Sequence, residues 1–337
     1  MPNWRDAVLQ GTKEATRLHR ELGSESELEK IPGGVDVFSA IVHLNIPLLF
    51  EPLQGLLGAY LPGPFHGILV STERNLAVQR FTGAHELGHA YMKHDGSLDD
   101  PSMLDRAPFG PQSYDHIEAA ADAFAASFLI PKWLLEIHAG RHKWNAHSLL
   151  DPATAYQMSL RVGASYDATC RSLRQHQIID ANAMQKLLSI QPKKIKQHIL
   201  DGHKLENWYP DVWLLTEEDG GTRIQGGPND VFVLKLRERS GAGYLWNLDD
   251  LAAAGFAIVA DTRHVPSEAE QIGGVVDRVL TARLSAQGPG YSGRISLSQV
   301  RPWTKSDQAA GHLTLIYDLS GKEVGLPRIG RSRLAAA

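Results

Sequence analysis

The most constraining feature of the sequence is the pentapeptide His-Glu-Leu-Gly-His at positions 85–89. On a helix, residues i and i+4 lie on one face, so His85 and His89 can direct two imidazoles at one cation. Glu86 then stands beside that cation, where its carboxylate can accept a proton from an attacking water. The alternative is an exposed helix with two solvated histidines. A zinc site of the catalytic type also needs a third protein ligand and one open position.

A second helical segment favours the metal-site interpretation. It reads EAAADAFAASFLIP over residues 118–131, with small and apolar residues at helical spacing. Together with RFTGAHELGHA (residues 80–90), it resembles the IrrE/ImmA metallopeptidases, bacterial regulators of stress response and mobile elements. The resemblance extends over about residues 35–135. It implies a minimal gluzincin-like fold and one Zn²⁺ per chain, with Glu118 as the third ligand and Glu86 as the catalytic base.

For other residues near the predicted ligands, the sequence allows more than one role. Asp122 lies one helical turn after Glu118, so it can hydrogen-bond a ligand histidine, or it can belong to a solvated helix face. A further group that stabilises the oxyanion is expected. The candidates for that group are Tyr91, His94, Tyr114 and His116.

Residues 136–208 are predicted to form a helical and locally basic domain. Within it, one helix is followed by a turn at Gly163, an N-cap at Ser165 and a second helix, which is the layout of a helix-turn-helix. Relatives of IrrE place such a segment after the peptidase. The second helix offers few side chains for reading bases, so a packing role is favoured over DNA binding. Those side chains are Arg171, Arg174 and Gln175.

Residues 209–325 contain short runs in which apolar and polar residues alternate, such as VFVLKLRE and HLTLIYDL. Such runs predict an all-β sandwich or barrel. Residues 228–320 resemble the chagasin-like cysteine-peptidase inhibitors. That family has an immunoglobulin-like sandwich, three loops of which enter a papain-like cleft. The matching positions are Gly243, Tyr244 and Trp246 in the first loop, Gly273 and Gly274 in the second, and Arg301, Pro302 and Trp303 in the third.

The first of these loops departs from the family pattern NPTTGYxW. Residues 239–242 are Arg-Ser-Gly-Ala in place of Asn-Pro-Thr-Thr. The departure favours a protein-recognition or regulatory module over an active inhibitor. For Trp246 and Trp303, packing within the domain is the alternative to contact with a partner.

Composition excludes several classes of protein. The chain has 337 residues, of which 43% are hydrophobic and 21% charged, as in a globular protein of two or three domains. Its net charge of −4 argues against a general nucleic-acid binder. The single cysteine, Cys170, excludes an intrachain disulfide and is expected to be buried. No apolar run reaches the roughly 20 residues of a membrane span, and the start is not a secretory signal, so a cytoplasmic protein is expected.

The sequence therefore predicts a multidomain α+β chain. A metallopeptidase domain is expected over residues 1–135, a helix-turn-helix-like domain over 136–208 and a β-sandwich over 209–325. The predicted activity is zinc-dependent cleavage of a protein partner, namely a transcriptional repressor or an antitoxin-like protein. Two alternatives compete: a peptidase-binding or inhibitor module, and a DNA-binding regulator, each with a vestigial zinc domain.

Overall fold

The N-terminal region combines helices with a small mixed sheet. A computed structural model describes residues 4–63, 66–99, 115–264, 274–285, 290–304 and 309–329 of the chain. The helices of the N-terminal region are α1 (Trp4–Leu22), α2 (Ser24–Lys30), α3 (Val37–His43), α4 (Leu76–Met92) and α5 (His116–Leu129). Its strands are β1 (Leu48–Glu51), β2 (Gly58–Leu61), β3 (Gly67–Ser71) and β4 (Ser97–Asp99).

The mixed sheet has the strand order β1-β3-β2-β4. β1 runs parallel to β3, whereas β2 runs antiparallel to both β3 and β4. β4 is therefore an edge strand among the strands that the structure describes. Helix α4 packs against β2 and β3, and α5 packs against both α4 and α1. The predicted pair of neighbouring helices is thus held on one face of a sheet.

Local sequence signals set the start of this helix pair. Asn75 caps α4 and Asp115 caps α5, because each side chain accepts a hydrogen bond from a backbone N–H of the first turn. The two helices also come close together at Gly88, where a Cβ atom would lie only 3.1 Å from the Phe124 ring. This close approach lets side chains from both helices meet at one point.

The middle of the chain is helical, as predicted. Its helices are α6 (Lys132–His142), α7 (Pro152–Val162), α8 (Tyr166–Gln175), α9 (Ala181–Leu188) and α10 (Pro192–Ile199). α7 ends at Gly163, whose φ of 73° lies in the left-handed region, and Ser165 caps α8. Buried residues of this region join those of the N-terminal region in one hydrophobic cluster, so the boundary at residue 135 stays a prediction. Within the described residues, no helix combines the length and apolar character needed to cross a bilayer.

The C-terminal region is rich in β-structure, as predicted. Among its described residues, one sheet has the order β5-β7-β10-β9 and a second has the order β6-β12-β11-β8. Side chains from both sheets share a core, for example Trp213 and Phe232 from the first and Leu315 from the second. The elements are β5 (Val212–Leu215), β6 (Arg223–Gln225), β7 (Val231–Glu238), β8 (Leu245–Asn247), α11 (Asp249–Ala253), β9 (Phe256–His264), β10 (Val276–Leu284), β11 (Ser292–Val300) and β12 (Gly311–Asp318).

Hydrogen bonds attach the C-terminal region to the rest of the chain at separate places. On α7, the Gln157 side-chain amide donates to the Val212 carbonyl and its oxygen accepts from the Leu214 N–H, both at 2.8 Å. After β12 the chain returns to the N-terminal sheet, where Gly325 and Phe50 exchange backbone hydrogen bonds of 2.8 and 2.9 Å. The β-rich region is therefore fixed to both the helical middle and the N-terminal sheet.

Candidate metal centre

Helices α4 and α5 bring three ligand-type side chains to one point. His85 and His89, one turn apart on α4, place their Nε2 atoms 2.9 Å apart. Glu118, in the first turn of α5, has carboxylate oxygens 3.3 Å from His85 Nε2 and 3.5 Å from His89 Nε2. One ligand atom from each of the three residues lies within 4.8 Å of the other two. The three residues can therefore hold one cation.

The geometry and chemistry of these donors fit zinc. Atoms that share a tetrahedral Zn²⁺ at about 2.0–2.1 Å lie about 3.4 Å from one another, close to the separations found between these three residues. Two imidazoles and one carboxylate form a donor set of the catalytic type, which leaves a position open for water and substrate. Both histidine side chains are completely buried, so the alternative of solvated histidines on an exposed helix is wrong.

Each ligand imidazole is also held through its other nitrogen. Asp122 Oδ1 lies 2.9 Å from His85 Nδ1, so the carboxylate faces this nitrogen and leaves Nε2 facing the cation position. His94 Nδ1 lies 3.1 Å from His89 Nδ1. These contacts fix both rings. The solvated-face alternative for Asp122 is therefore wrong, because the residue is buried against a ligand.

Glu86 is buried next to the ligands and is oriented by the sheet. Ser97 Oγ donates a 2.6 Å hydrogen bond to Glu86 Oε2. Burial raises the pKa of the Glu86 carboxyl well above its usual range; the charge of His85 opposes this rise and the charge of Asp99 adds to it. A carboxylate with a raised pKa holds an abstracted proton more readily, which suits a general base that later donates this proton.

The strand ends that flank the three predicted binding loops lie at one end of the β-rich region. β7 starts beside the helical middle, where the Val231 N–H bonds to the Asp211 carbonyl and the Asp211 side chain accepts from Tyr156 on α7. β7 then runs outward to the first loop. β10 begins and β11 ends at this same outer end, next to the end of β7 and to β8 respectively. These strand ends therefore lie at the opposite end of β7 from Val231.

Two of the loops contact each other through aromatic and cationic side chains. The Arg301 guanidinium lies 4.5 Å from the centre of the Tyr244 ring. Trp303 is 70% exposed. Its ring covers Gly243, where a Cβ atom would lie only 2.6 Å from it. This cluster is therefore exposed at the surface of the domain, at least at Trp303.

The remaining loop positions differ from these. Trp246 is only 4% exposed, and its Nε1–H donates to the Arg237 carbonyl at 3.0 Å. Trp246 is thus a core residue, and its prediction as a binding residue is wrong because the strand face that carries it points into the sandwich. Gly274 lies two residues before β10. Gly273 lies outside the described residues.

Two family models match separate parts of the chain. Residues 43–174 match the IrrE N-terminal-like domain (Peptidase_M78). Residues 227–317 match the chagasin family peptidase inhibitor I42. The chain joins an IrrE N-terminal-like domain to a chagasin-family domain. Both predicted resemblances are confirmed.

Two solved structures are similar to part of the chain. The crystal structure of the cysteine protease inhibitor EhICP2 from Entamoeba histolytica is 22% identical and covers 34% of this chain and 99% of its own, with a TM-score of 0.28. The solution structure of Amebosin is 22% identical and covers 32% of this chain and 97% of its own, with a TM-score of 0.25. No curated protein matches the chain at a significant level.

In the IrrE N-terminal-like domain, strand β4 adds two side chains that sequence reasoning missed. Ser97 and Asp99 are buried towards Glu86 and His85, while Leu98 between them points to solvent. This alternation is the signal of a strand, but three residues are too few to identify one from sequence.

The structure describes three of the four candidates for oxyanion stabilisation. The Tyr91 hydroxyl donates to Glu21 on α1 at 2.9 Å, so it is held by a different helix and does not serve this purpose. His94 supports a ligand ring, and His116 is the partly buried first residue of α5. Tyr114 lies outside the described residues.

Replacing Asp122 with alanine is expected to weaken zinc binding by about 10- to 100-fold, because His85 loses the acceptor that fixes its tautomer. Competition with a chelator of known affinity measures this loss on the purified protein. Asp122→Asn is the matched control, since its amide oxygen can still accept the hydrogen bond and should preserve most of the affinity. Equal zinc affinity in Asp122→Ala and the unchanged protein would show that this contact does not support the metal.

Proposed function

We propose that the chain is a zinc-dependent endopeptidase. The observation that carries this proposal is the convergence of His85, His89 and Glu118 next to the buried carboxyl of Glu86. A vestigial site would not be expected to retain all three ligand residues, the base and the buried carboxylate on His85. The match to the peptidase family supports the same conclusion.

The residues around the site have distinct tasks in this reaction. Bound zinc would polarise the scissile carbonyl. The Glu86 carboxylate takes a proton from the attacking water and then donates it to the leaving amine. Ser97 holds Glu86 Oε2, and Asp122 keeps the His85 ring in the tautomer that ligates through Nε2. We infer a gluzincin-like arrangement for these helices and this sheet.

The proposed substrate is a protein, namely a transcriptional repressor or an antitoxin-like regulator, cleaved in the cytoplasm during a stress or mobile-element response. This part of the proposal follows from the resemblance to the IrrE/ImmA peptidases. We propose that helices α7 and α8 have a packing role. Arg171 on α8 pairs with Asp167 of the same helix, and Cys170 is buried with the pKa of its thiol raised by burial to about 12.

The test is cleavage that depends on metal. The full chain is loaded with Zn²⁺, its metal content is measured, and it is incubated with purified repressor-type proteins encoded near its gene and with a quenched peptide library. We expect about one zinc per chain and cleavage that stops with a chelator and returns when Zn²⁺ is restored. His89→Ala is the matched negative control. Failure to bind zinc, or cleavage that a chelator does not affect, would overturn the proposal.

We further propose that the chagasin-family domain, inferred to be an immunoglobulin-like sandwich, recognises a protein partner. The exposed Trp303 and the stacked Arg301 and Tyr244 support this function, because such anchors are typical of protein interfaces. Two sheets with a shared core support the sandwich.

Papain is the probe for the inhibitor alternative. If the domain acts only in recognition, micromolar concentrations of this protein should leave papain fully active. Inhibition that is lost in Trp303→Ala would instead favour the inhibitor function for this domain.

A further inference from the structure

A cavity of about 390 Å³ lies where the helices of the N-terminal region and of the middle meet the segment that leads into β5. Its walls include Phe81 on α4, Leu129 on α5, Leu160 on α7, Ala168 on α8 and Tyr209 before β5. The volume falls within the roughly 300–1,000 Å³ that is typical of sites for small molecules, which often lie between domains. The cavity is therefore large enough to hold one such molecule.

Much of the wall is apolar. Phe81 and Leu160 line the cavity and are only partly buried, so each leaves apolar surface exposed there. A molecule that covers this surface removes it from water and is stabilised by the hydrophobic effect. The walls therefore favour a ligand that is mainly apolar.

The charged side chains of the described walls are already paired. Lys196 Nζ lies 3.1 Å from Asp211 Oδ1 and donates a 2.8 Å hydrogen bond to the Pro210 carbonyl. Arg171 pairs with Asp167 on the same helix. Both pairs line the cavity, so two positive charges face two negative ones. An ionic ligand would lose water without gaining a free opposite charge, which favours a neutral ligand.

One buried hydroxyl of the described walls differs from the others. Ser172 lines the cavity and is only 4% exposed, yet its hydroxyl forms no hydrogen bond within the described part of the chain. In contrast, the hydroxyls of Tyr156, Ser159 and Tyr166 all donate to oxygens of the chain at 2.7–3.2 Å. Buried hydroxyls are normally hydrogen-bonded, so Ser172 can bind a polar group of a molecule in the cavity.

We propose that this cavity binds a neutral, mainly apolar small molecule with one hydrogen-bonding group next to Ser172. A peptide segment fits less well, because it brings several backbone N–H and C=O groups that need partners. Phe81 lies one turn before His85 on α4, but no residue of the candidate metal centre lines the cavity. The inference is therefore independent of the proposed function.

Two fluorescent probes with the same aromatic framework test the chemical class of the ligand. N-phenyl-1-naphthylamine is neutral and has one N–H group, whereas 8-anilino-1-naphthalenesulfonate adds a negative charge. We expect the full chain to bind about one molecule of the neutral probe saturably and the sulfonate at least about tenfold more weakly, because the wall has no free cation for it. The neutral probe should also raise the Tm as its concentration rises.

Three variants locate the bound probe. Ala168→Phe fills part of the cavity and should weaken binding of the neutral probe by at least about tenfold. Ala253→Phe makes the same change on the exposed surface of α11 and should leave the affinity unchanged. Ser172→Ala removes the free hydroxyl and should weaken binding by about 2- to 10-fold, the usual effect of one hydrogen bond.

The inference is overturned if the unchanged protein does not bind the neutral probe saturably, or if it binds the sulfonate equally well. It is also overturned if Ala168→Phe binds the neutral probe as tightly as the unchanged protein, or if Ser172→Ala does so. Should Ala168→Phe fail to fold, the comparison of the two probes and the conservative Ser172→Ala still decide. None of these measurements involves zinc or cleavage, so their failure leaves the proposed function unaffected.

Discussion

Glu86→Gln is expected to lose peptide cleavage while it retains zinc. Glutamine has the same shape as glutamate, but its amide cannot take a proton from the attacking water. Glu86 is outside the ligand set of His85, His89 and Glu118, so the cation keeps all three of these ligands in the variant. Loss of a general base costs roughly 10²- to 10⁴-fold in rate. The measurement is kcat/KM on a cleaved peptide, together with zinc content.

A matched control keeps this result interpretable. Glu73 lies in the turn before α4 and is exposed, so Glu73→Gln carries the same chemical change outside the site and should cleave at the normal rate. Undiminished turnover in Glu86→Gln would refute the assignment of the base. Loss of zinc from Glu86→Gln would show instead that the carboxylate is part of the metal site.

The two histidine ligands were predictable from local geometry, whereas Glu118 was predictable only from the family resemblance. His85 and His89 are one turn apart, and so are Glu118 and Asp122, so helix periodicity alone places each pair on one face. The small residues between them indicated that the two helices could approach closely. What the residues alone did not supply was the pairing of the two helices, which came from the family resemblance.

Other parts of the site depend on tertiary structure. Ser97 and Asp99 reach the centre only because β4 pairs with β2 in one register, and nothing within three residues encodes that register. Tyr91 fails as an oxyanion group for a similar reason. Its partner, Glu21, is 70 positions away on α1.

Buried histidines that bind no metal show why the number of histidines does not identify ligands. Only the spacing of His85 and His89 did so. His19 and His138 are buried, like the ligands, yet each bonds to a backbone carbonyl. Burial lowers the pKa of His19 to about 4 and that of His138 to about 3. Both are therefore neutral core residues at physiological pH.

The way in which the regions are joined could not be read from the sequence either. Gln79, in the first turn of α4, exchanges two hydrogen bonds of 3.0 and 2.8 Å with the backbone of Glu323, which is 244 positions away. Changes in composition distinguish three regions along the chain. They do not show that the segment after β12 returns to the N-terminal sheet.

The strongest expected effect on stability comes from Asp219, at the contact between α7 and the β-rich region. Arg161 Nη2 donates to both Asp219 oxygens at 2.7 and 2.9 Å, and both side chains are almost fully buried. Burial acts to raise the pKa of Asp219, but the charge of Arg161 and hydrogen bonds hold it below its usual value. Asp219→Ala leaves the Arg161 guanidinium buried without its carboxylate. We expect the free energy of unfolding to fall by roughly 3–5 kcal/mol, measured by urea denaturation.

Asp167 provides the comparison that tests this explanation. It pairs with Arg171 on the exposed side of α8, where both side chains reach solvent, so Asp167→Ala should cost no more than about 1 kcal/mol. In the double variant Arg161→Met with Asp219→Ala, the buried charge is gone, and much of the lost stability should return. If Asp219→Ala is no more costly than Asp167→Ala, the contact between α7 and the β-rich region does not depend on this ion pair. If the double variant recovers nothing, the loss comes from packing and not from an uncompensated charge.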